Sequence, residues 1–365
     1  MKRKLVGIAV IFTVMSLVAG GAFLLWQSTP STNDSSNAKD FEIKQTEKLL
    51  GIPVNDFPAP QGLEKYEDIP KKLPKLDFSL KEQKLSLPDP PASHHPRSRI
   101  VVNTQDGSEI VAFCGTSPGS DFLPSPLFES NLENLRHRYG THLGHAFLGA
   151  NIYIGKRNKQ GKLEPKLFFR DVGRHFDAPH DLTIGPDGHF HLVITDVIFS
   201  ENNRSKVYWL VGDLEKKQWL KAGLIWQRPE FTYWIRPWLA RWKDSIHLVW
   251  NWNAKSPAAG IFYLERTSKG FGKKTRIYAG DLTYLDMAVD QHSGRLVVII
   301  PTHKEGLVLM SRSDGGQWTQ PQVLIPDGKN QSSLSILLKS SGNGEFIIRT
   351  DDKEFLLRIK AGIRQ

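Results

Sequence analysis

The sequence predicts an all-β fold, a β-propeller of four-stranded blades, and three observations predict it. Downstream of residue 98 the chain breaks into short apolar runs, each pair joined by an Asp-Gly-type turn. The turn residues Gly107, Gly188, Asp244, Gly294 and Gly344 recur with a period that settles near fifty residues. The final unit stops one strand short, which an N-terminal strand would complete, closing the ring and hiding its edges.

The first unit pairs Arg99–Thr104 with Glu109–Phe113, and the second pairs His180–Ile184 with Phe190–Ile194. Arg236–Arg241 pairs with Ile246–Trp250, Tyr284–Val289 with Leu296–Ile300, and Leu334–Leu338 with Phe346–Arg349. Third runs follow at Lys206–Leu210, Gly260–Leu264 and Gly306–Met310, and fourth runs at Trp219–Ile225 and Trp318–Leu324. Four antiparallel strands per repeat is a propeller blade. Five units are visible, and a sixth would have to sit in the insertion at about 115–148 or in the proline tract, so five or six blades are expected.

Ahead of the repeats lie three segments of different character. Lys2, Arg3 and Lys4 form a basic tip, and residues 5–26 carry no charge. As a helix those residues would span roughly 33 Å, enough for the hydrocarbon core of a bilayer. The basic tip would keep the N-terminus cytoplasmic and export the rest as a single-pass signal-anchor protein. Cleavage at the small residues Val18–Ala22 is the alternative and would release a secreted domain. The apolar run continues past them through Trp26, which favours the anchor. Residues 27–97, polar and then rich in proline, read as a linker or stalk, with wrapping of the domain as the other option. The propeller is expected over 98–365.

Lys and Arg number 48 against 38 for Asp and Glu, a net charge of +10. That balance favours an acidic partner. With no nucleic-acid motif present, an acidic carbohydrate is expected, together with the membrane through the N-terminal helix, and no nucleic acid. Cys114 is the only cysteine, so no intrachain disulfide forms and stability must come from burial.

The units resemble the sialidase-like superfamily of Asp-box (BNR-repeat) propellers. Ser311–Trp318 is similar to the Asp-box, with the aspartate one place late and Gln317 where threonine is usual. His180–Val193 is similar to BNR-repeat polysaccharide lyases. The sialidase resemblance implies that Arg99, in Arg99-Ile100-Val101, matches the first arginine of a substrate-binding triad, although the proline of that motif is absent. It also implies that Tyr284–Val289 matches the neighbourhood of the nucleophile. No complete triad maps onto the chain, so the resemblance carries the scaffold further than the chemistry.

The repeat nominates a site of its own. Eight residues before the turns stand Arg99, His180, Arg236 and Asp286, equivalent positions of innermost strands that are expected to ring the central channel and converge at one mouth. Two arginines make a bidentate carboxylate clamp, a histidine can exchange a proton near neutral pH, and Tyr284 shares the strand face of Asp286. The candidate catalytic residues are therefore His180, Tyr284 and Asp286. The candidate substrate-binding residues are Arg99, Arg236, Tyr233, Trp234, Trp238 and His145, the aromatics offering flat faces for sugar stacking. Asp177, Asp181, Asp196 and Glu230 are further carboxylates that could complete a hydrolytic pair. His142 and His145 have a loose zinc spacing with His175 or Asp177, but no metal and no cofactor is assigned. His191 and His247, at one position of two second strands, are expected to be structural. Two functions stay open: a glycosidase or lyase acting on an acidic glycan, or a non-catalytic propeller binding glycan or protein at the cell surface.

Overall fold

The structure is a computed structural model. It describes residues 54–56, 64–87, 99–103, 109–115, 151–157, 163–169, 180–197, 205–216, 218–228, 235–252, 256–280, 284–302, 305–313, 316–326, 336–350 and 352–364. The chain divides into two compact units, Met1–Thr46 and Glu47–Gln365, and all described residues belong to the second. The proposed anchor at 5–26 and the insertion at 115–148, apart from Gly115, lie outside the described residues. Among the described residues no helix is long and apolar enough to cross a membrane.

Three strands come from the proline-rich tract: β1 (Val54–Asp56), β2 (Glu67–Asp68) and β3 (Lys75–Gln83). The first sheet is β4 (Arg99–Asn103), β5 (Glu109–Gly115), β6 (Asn151–Arg157) and β7 (Leu163–Phe169). The second is β8 (His180–Ile184), β9 (Phe190–Val197), β10 (Ser205–Asp213) and β11 (Gln218–Arg228), with β1 added in parallel at its outer edge. The third is β12 (Ile235–Trp242), β13 (Ser245–Trp252), β14 (Gly260–Thr267) and β16 (Thr275–Ala279). The two-residue β15 (Gly270–Phe271) pairs β14, and β2 lies parallel to β16. The fourth is β17 (Asp286–Val289), β18 (Leu296–Thr302), β19 (Gly306–Arg312) and β20 (Gln322–Ile325). The fifth is β21 (Leu337–Gly342), β22 (Glu345–Arg349), β23 (Glu354–Arg364) and β3.

The first strands β4, β8, β12, β17 and β21 are neighbours in that order, so the sheets stand around a common centre like propeller blades. Strands buried on both faces must be apolar throughout rather than alternating. Every residue of β18 is accordingly buried, as is all of β13 after Ser245. Between the second and third blades pack Trp209, Trp226, Trp250, Trp252 and Phe262, with Trp226 edge-on to Trp252 at 5.5 Å. The third, fourth and fifth blades share a second core around Val249, Val298, Leu309 and Phe346.

The tract read as a stalk is in part a belt. β1 edges the second blade, β2 edges the third, and the Leu76 backbone N–H and carbonyl both bond the side-chain amide of Gln322, the first residue of β20. β3 then supplies the missing fourth strand of the fifth blade, pairing antiparallel with β23. The physical reason is edge satisfaction: outer strands leave N–H and C=O groups that a passing extended segment can pair. The propeller therefore begins upstream of residue 98.

Candidate functional site

Four of the residues nominated from the sequence meet at the end of the blades where the first strands begin. Arg236 is 4% exposed, and its backbone N–H donates to Asn251 Oδ1 on the paired strand at 2.7 Å. Its guanidinium carbon lies 5.9 Å from the centre of the Tyr284 ring, within cation–π range. Trp238 packs edge-on against the same ring at 6.0 Å, and the Tyr284 hydroxyl donates to the Ile336 carbonyl of the fifth blade at 3.2 Å. Asp286 follows at the start of β17 and is almost wholly buried.

Asp286 has an assignment other than catalysis. One carboxylate oxygen accepts the Met287 N–H at 2.9 Å, and the other accepts the Leu338 N–H of the next blade at 2.8 Å. Asp181 repeats this two blades earlier, accepting from Leu182 at 2.9 Å and from Leu239 at 2.6 Å. A buried carboxylate that holds two backbone donors joins first strands to each other. Repetition at two joints marks it as part of the architecture.

The four residues counted from the turns do not share one level. For His180, Arg236 and Asp286 the hairpin loops between the last paired residues run 185–189, 243–244 and 290–295, so equal counts from the turns give unequal depths. The interior gives a better ruler. Asp181, Val193 and Trp209 form one cross-strand row, and Trp238, Val249 and Tyr263 form another. In each, the histidine two residues ahead of the valine meets the third-strand aromatic: Trp209 Nε1 donates to His191 Nδ1 at 3.0 Å, and His247 Nδ1 lies 2.8 Å from the Tyr263 hydroxyl. Asp181 thus aligns with Trp238 and His180 with Pro237, while Arg236 and Tyr284 stand together one residue beyond.

His180 opens β8 opposite Ile194, and Arg99 opens β4 opposite Phe113. Their backbones are placed at the same end of neighbouring blades. Tyr233, Trp234 and His145 lie outside the described residues, as do His142, His175, Asp177 and Glu230. Asp196 sits in β9 opposite Lys206. Among the described residues no group of three or more His, Cys, Asp or Glu is disposed to hold a metal. Trp252 is fully buried in the core. Trp242 lies at the hairpin end, where Nε1 donates to the Gln291 carbonyl at 3.3 Å.

His191 and His247 are structural groups. Arg266 of the third blade brings Nη1 to 2.7 Å from His191 Nδ1 and lies over Trp209 at 5.7 Å. Arg312 of the fourth lies over Tyr263 at 4.9 Å and donates to Glu265 at 2.7 Å. Burial, and then the Arg266 charge, pushes the His191 imidazole down to about 4 against the pull of Asp187. Burial also pushes His247 down to about 4, with Glu265 opposing and Arg312 reinforcing. The turn resembling an Asp-box follows a third strand. There the Thr319 N–H donates to the Ser311 carbonyl, the Ser311 N–H donates to the Thr319 hydroxyl, and Trp318 enters the interface edge-on to Tyr263 at 5.2 Å.

The mouth also holds a buried cation that the sequence pattern does not reveal. Arg349, 4% exposed, ends β22 at the same end of the blades as Arg236. The repeating positions lie on first strands, and an arginine closing a second strand falls outside that pattern.

No protein family and no curated protein matches this chain. Similar solved structures include a xylan β-1,4-xylosidase from Bacillus halodurans at 14% identity and TM-score 0.37, over 76% of this chain and 54% of that one. An α-L-arabinofuranosidase from Podospora anserina is similar at 11% identity and TM-score 0.36, over 75% of this chain and 94% of that one. The propeller domain of the Trilobed protease from Pyrococcus furiosus is similar at 10% identity and TM-score 0.36, over 73% of this chain and 69% of that one. The chain spans about half the length of the xylosidase. The architecture rests on this chain's own strand pairing.

Proposed function

We propose that the protein is an exported, membrane-anchored propeller of five or six blades that recognises an acidic glycan at the mouth where its first strands begin. Arg236 carries the reading. It is held at that mouth by Asn251, stacked over Tyr284 and flanked by Trp238, an arginine-on-aromatic arrangement suited to a sugar bearing a carboxylate. Arg99 is its partner in the proposed clamp, one arginine from each of two blades. The net charge of +10 supports an acidic ligand and would speed its arrival.

Recognition without turnover is the better-supported mode. The Tyr284 hydroxyl proton is committed to the Ile336 carbonyl, and both Asp286 oxygens accept backbone N–H groups. A nucleophile or proton donor would have to abandon those bonds. Cleavage would fall to His180, and product release from acidic oligosaccharides by the parent but not by His180→Ala would establish it.

The deciding experiment compares Arg236→Ala with the parent for melting temperature and acidic-glycan binding. Binding weakened about ten- to a hundredfold with a nearly unchanged melting point supports the mouth as a site. A loss of ~3–5 kcal/mol of stability with no glycan bound by the parent would make Arg236 a structural seal. The anchor is tested separately by a reporter after Gln365, which should be active only outside the cytoplasm.

A further inference from the structure

Arg228 ends β11 at the same end of the blades as Arg236, and residues 229–234 carry the chain from one to the other. Its guanidinium is held by ring faces: Tyr66 of the N-terminal belt at 5.0 Å and Trp252 at 5.5 Å. Tyr66 is itself fixed, with Arg276 over its ring at 5.2 Å and Phe262 edge-on at 5.0 Å. Arg276 has its own counter-charge in Asp68 and a further bond to the Pro257 carbonyl. Lys273, in turn, pairs with Glu67.

Arg228 has no such counter-charge among the described residues. Its guanidinium forms no hydrogen bond or ion pair with any described residue, and its Nε is buried without an acceptor among them. Three indole N–H groups in the same ring cluster, those of Trp226, Trp250 and Trp252, are also buried without one. Rings can satisfy the faces of a guanidinium but not the N–H groups in its plane, which form a fork matched to a carboxylate or sulfate. Buried donors left without acceptors cost stability unless a water or ligand completes them. The surroundings are electropositive as well: Lys274 is fully buried with Nζ 3.3 Å from the Ile225 carbonyl. Burial and the Arg228 charge push that ammonium down to about 8.

We propose that Arg228, clamped between Tyr66 and Trp252, is an oxyanion subsite for a carboxylate or sulfate group. On the reading of the mouth given above, it anchors a second acidic residue of the same glycan, one blade boundary outward from Arg236. The belt then does more than close the ring, because its Tyr66 forms one wall of the subsite.

The test titrates the full chain with inorganic sulfate, against chloride at matched ionic strength, reading tryptophan fluorescence. A saturable sulfate response in the parent and in Arg236→Ala, weakened about tenfold or more in Arg228→Gln, is expected. Arg228→Lys, which keeps the charge and loses the fork, should weaken it similarly and serves if the glutamine variant fails to fold. A sulfate response no larger than that to chloride, or variants at 228 that titrate like the parent, overturns the subsite. A response lost in Arg236→Ala but kept in Arg228→Gln overturns it while leaving the mouth standing. A sulfated oligosaccharide, used as a second probe, separates the sources. Tighter binding than free sulfate, lost in either variant, supports the two-point anchor, and no gain over sulfate overturns it.

Discussion

The Asp286 carboxylate accepts the backbone N–H of Leu338 at 2.8 Å and so ties the fourth blade to the fifth. Asp181 does the same between the second and third, accepting from Leu239 at 2.6 Å. Replacing either with Ala leaves two buried N–H groups unpaired, so each should lose about 1–3 kcal/mol. The joints share no residue, so the double variant should show nearly additive losses in urea unfolding. If Asp286→Ala keeps the parent's stability while abolishing activity on a glycan, Asp286 is catalytic and the joint is incidental.

The contrast between Asp286 and Arg236 shows what the sequence could carry. Strand positions, the missing outer strand of the fifth blade and the gathering of Arg236, Trp238 and Tyr284 at one end were legible, because alternation and turn residues are local signals. The level of each residue along the channel was not, because it depends on hairpin length: Lys243 and Asn343 take positive φ in two-residue loops, whereas Asp290–Arg295 bridges a longer one. The belt was invisible for another reason. β1 and β2 are too short and polar to read as strands, and they pair only because β11 and β16 offer open edges.

Ring closure should be acid-sensitive through one residue. Glu354, buried at the start of β23, accepts bonds from the Ser86 and Leu87 amides, the Ser86 hydroxyl and Gln83 Nε2. Burial alone would raise its pKa, but these bonds outweigh it and hold the carboxyl at about 2, below the ordinary 4.5. A carboxyl depressed by folding contributes stability that is present above pH 4.5 and lost as the pH falls towards 2. Glu354→Gln should therefore be less stable at neutral pH and flatter over that window. Hydrogen exchange should show β3 opening first.

The buried histidines set a separate, higher window. His191 and His247 have folded pKa values near 4 against 6.5 for the free side chain, so the unfolded chain binds more protons between those values. Stability should fall as the pH drops below 6.5, by on the order of 3 kcal/mol for each histidine, and the fall should level off near pH 4. Groups facing His191 are Asp187, His189, Arg266 and Trp209, and those facing His247 are Tyr263, Glu265 and Arg312. The measurement is melting temperature against pH for the parent, His191→Gln and His247→Gln. Identical slopes between pH 4 and 6.5 in all three would sink the idea.

Two turn glycines separate backbone strain from packing. Gly188 and Gly294 both adopt positive φ, at 76° and 71°. A Cβ on Gly188 would meet nothing within 4 Å, so Gly188→Ala should cost only the left-handed conformation, about 1–2 kcal/mol. A Cβ on Gly294 would come within 2.5 Å of the Trp242 ring, which also donates to the Gln291 carbonyl across the blade boundary. Gly294→Ala must strain the turn and displace Trp242 together, so it should lose a further ~1–3 kcal/mol. Its tryptophan emission should shift towards that of a hydrated indole, whereas Gly188→Ala should keep the parent spectrum. Equal losses and unchanged spectra in both would mean that the fourth-blade hairpin does not rest on Trp242.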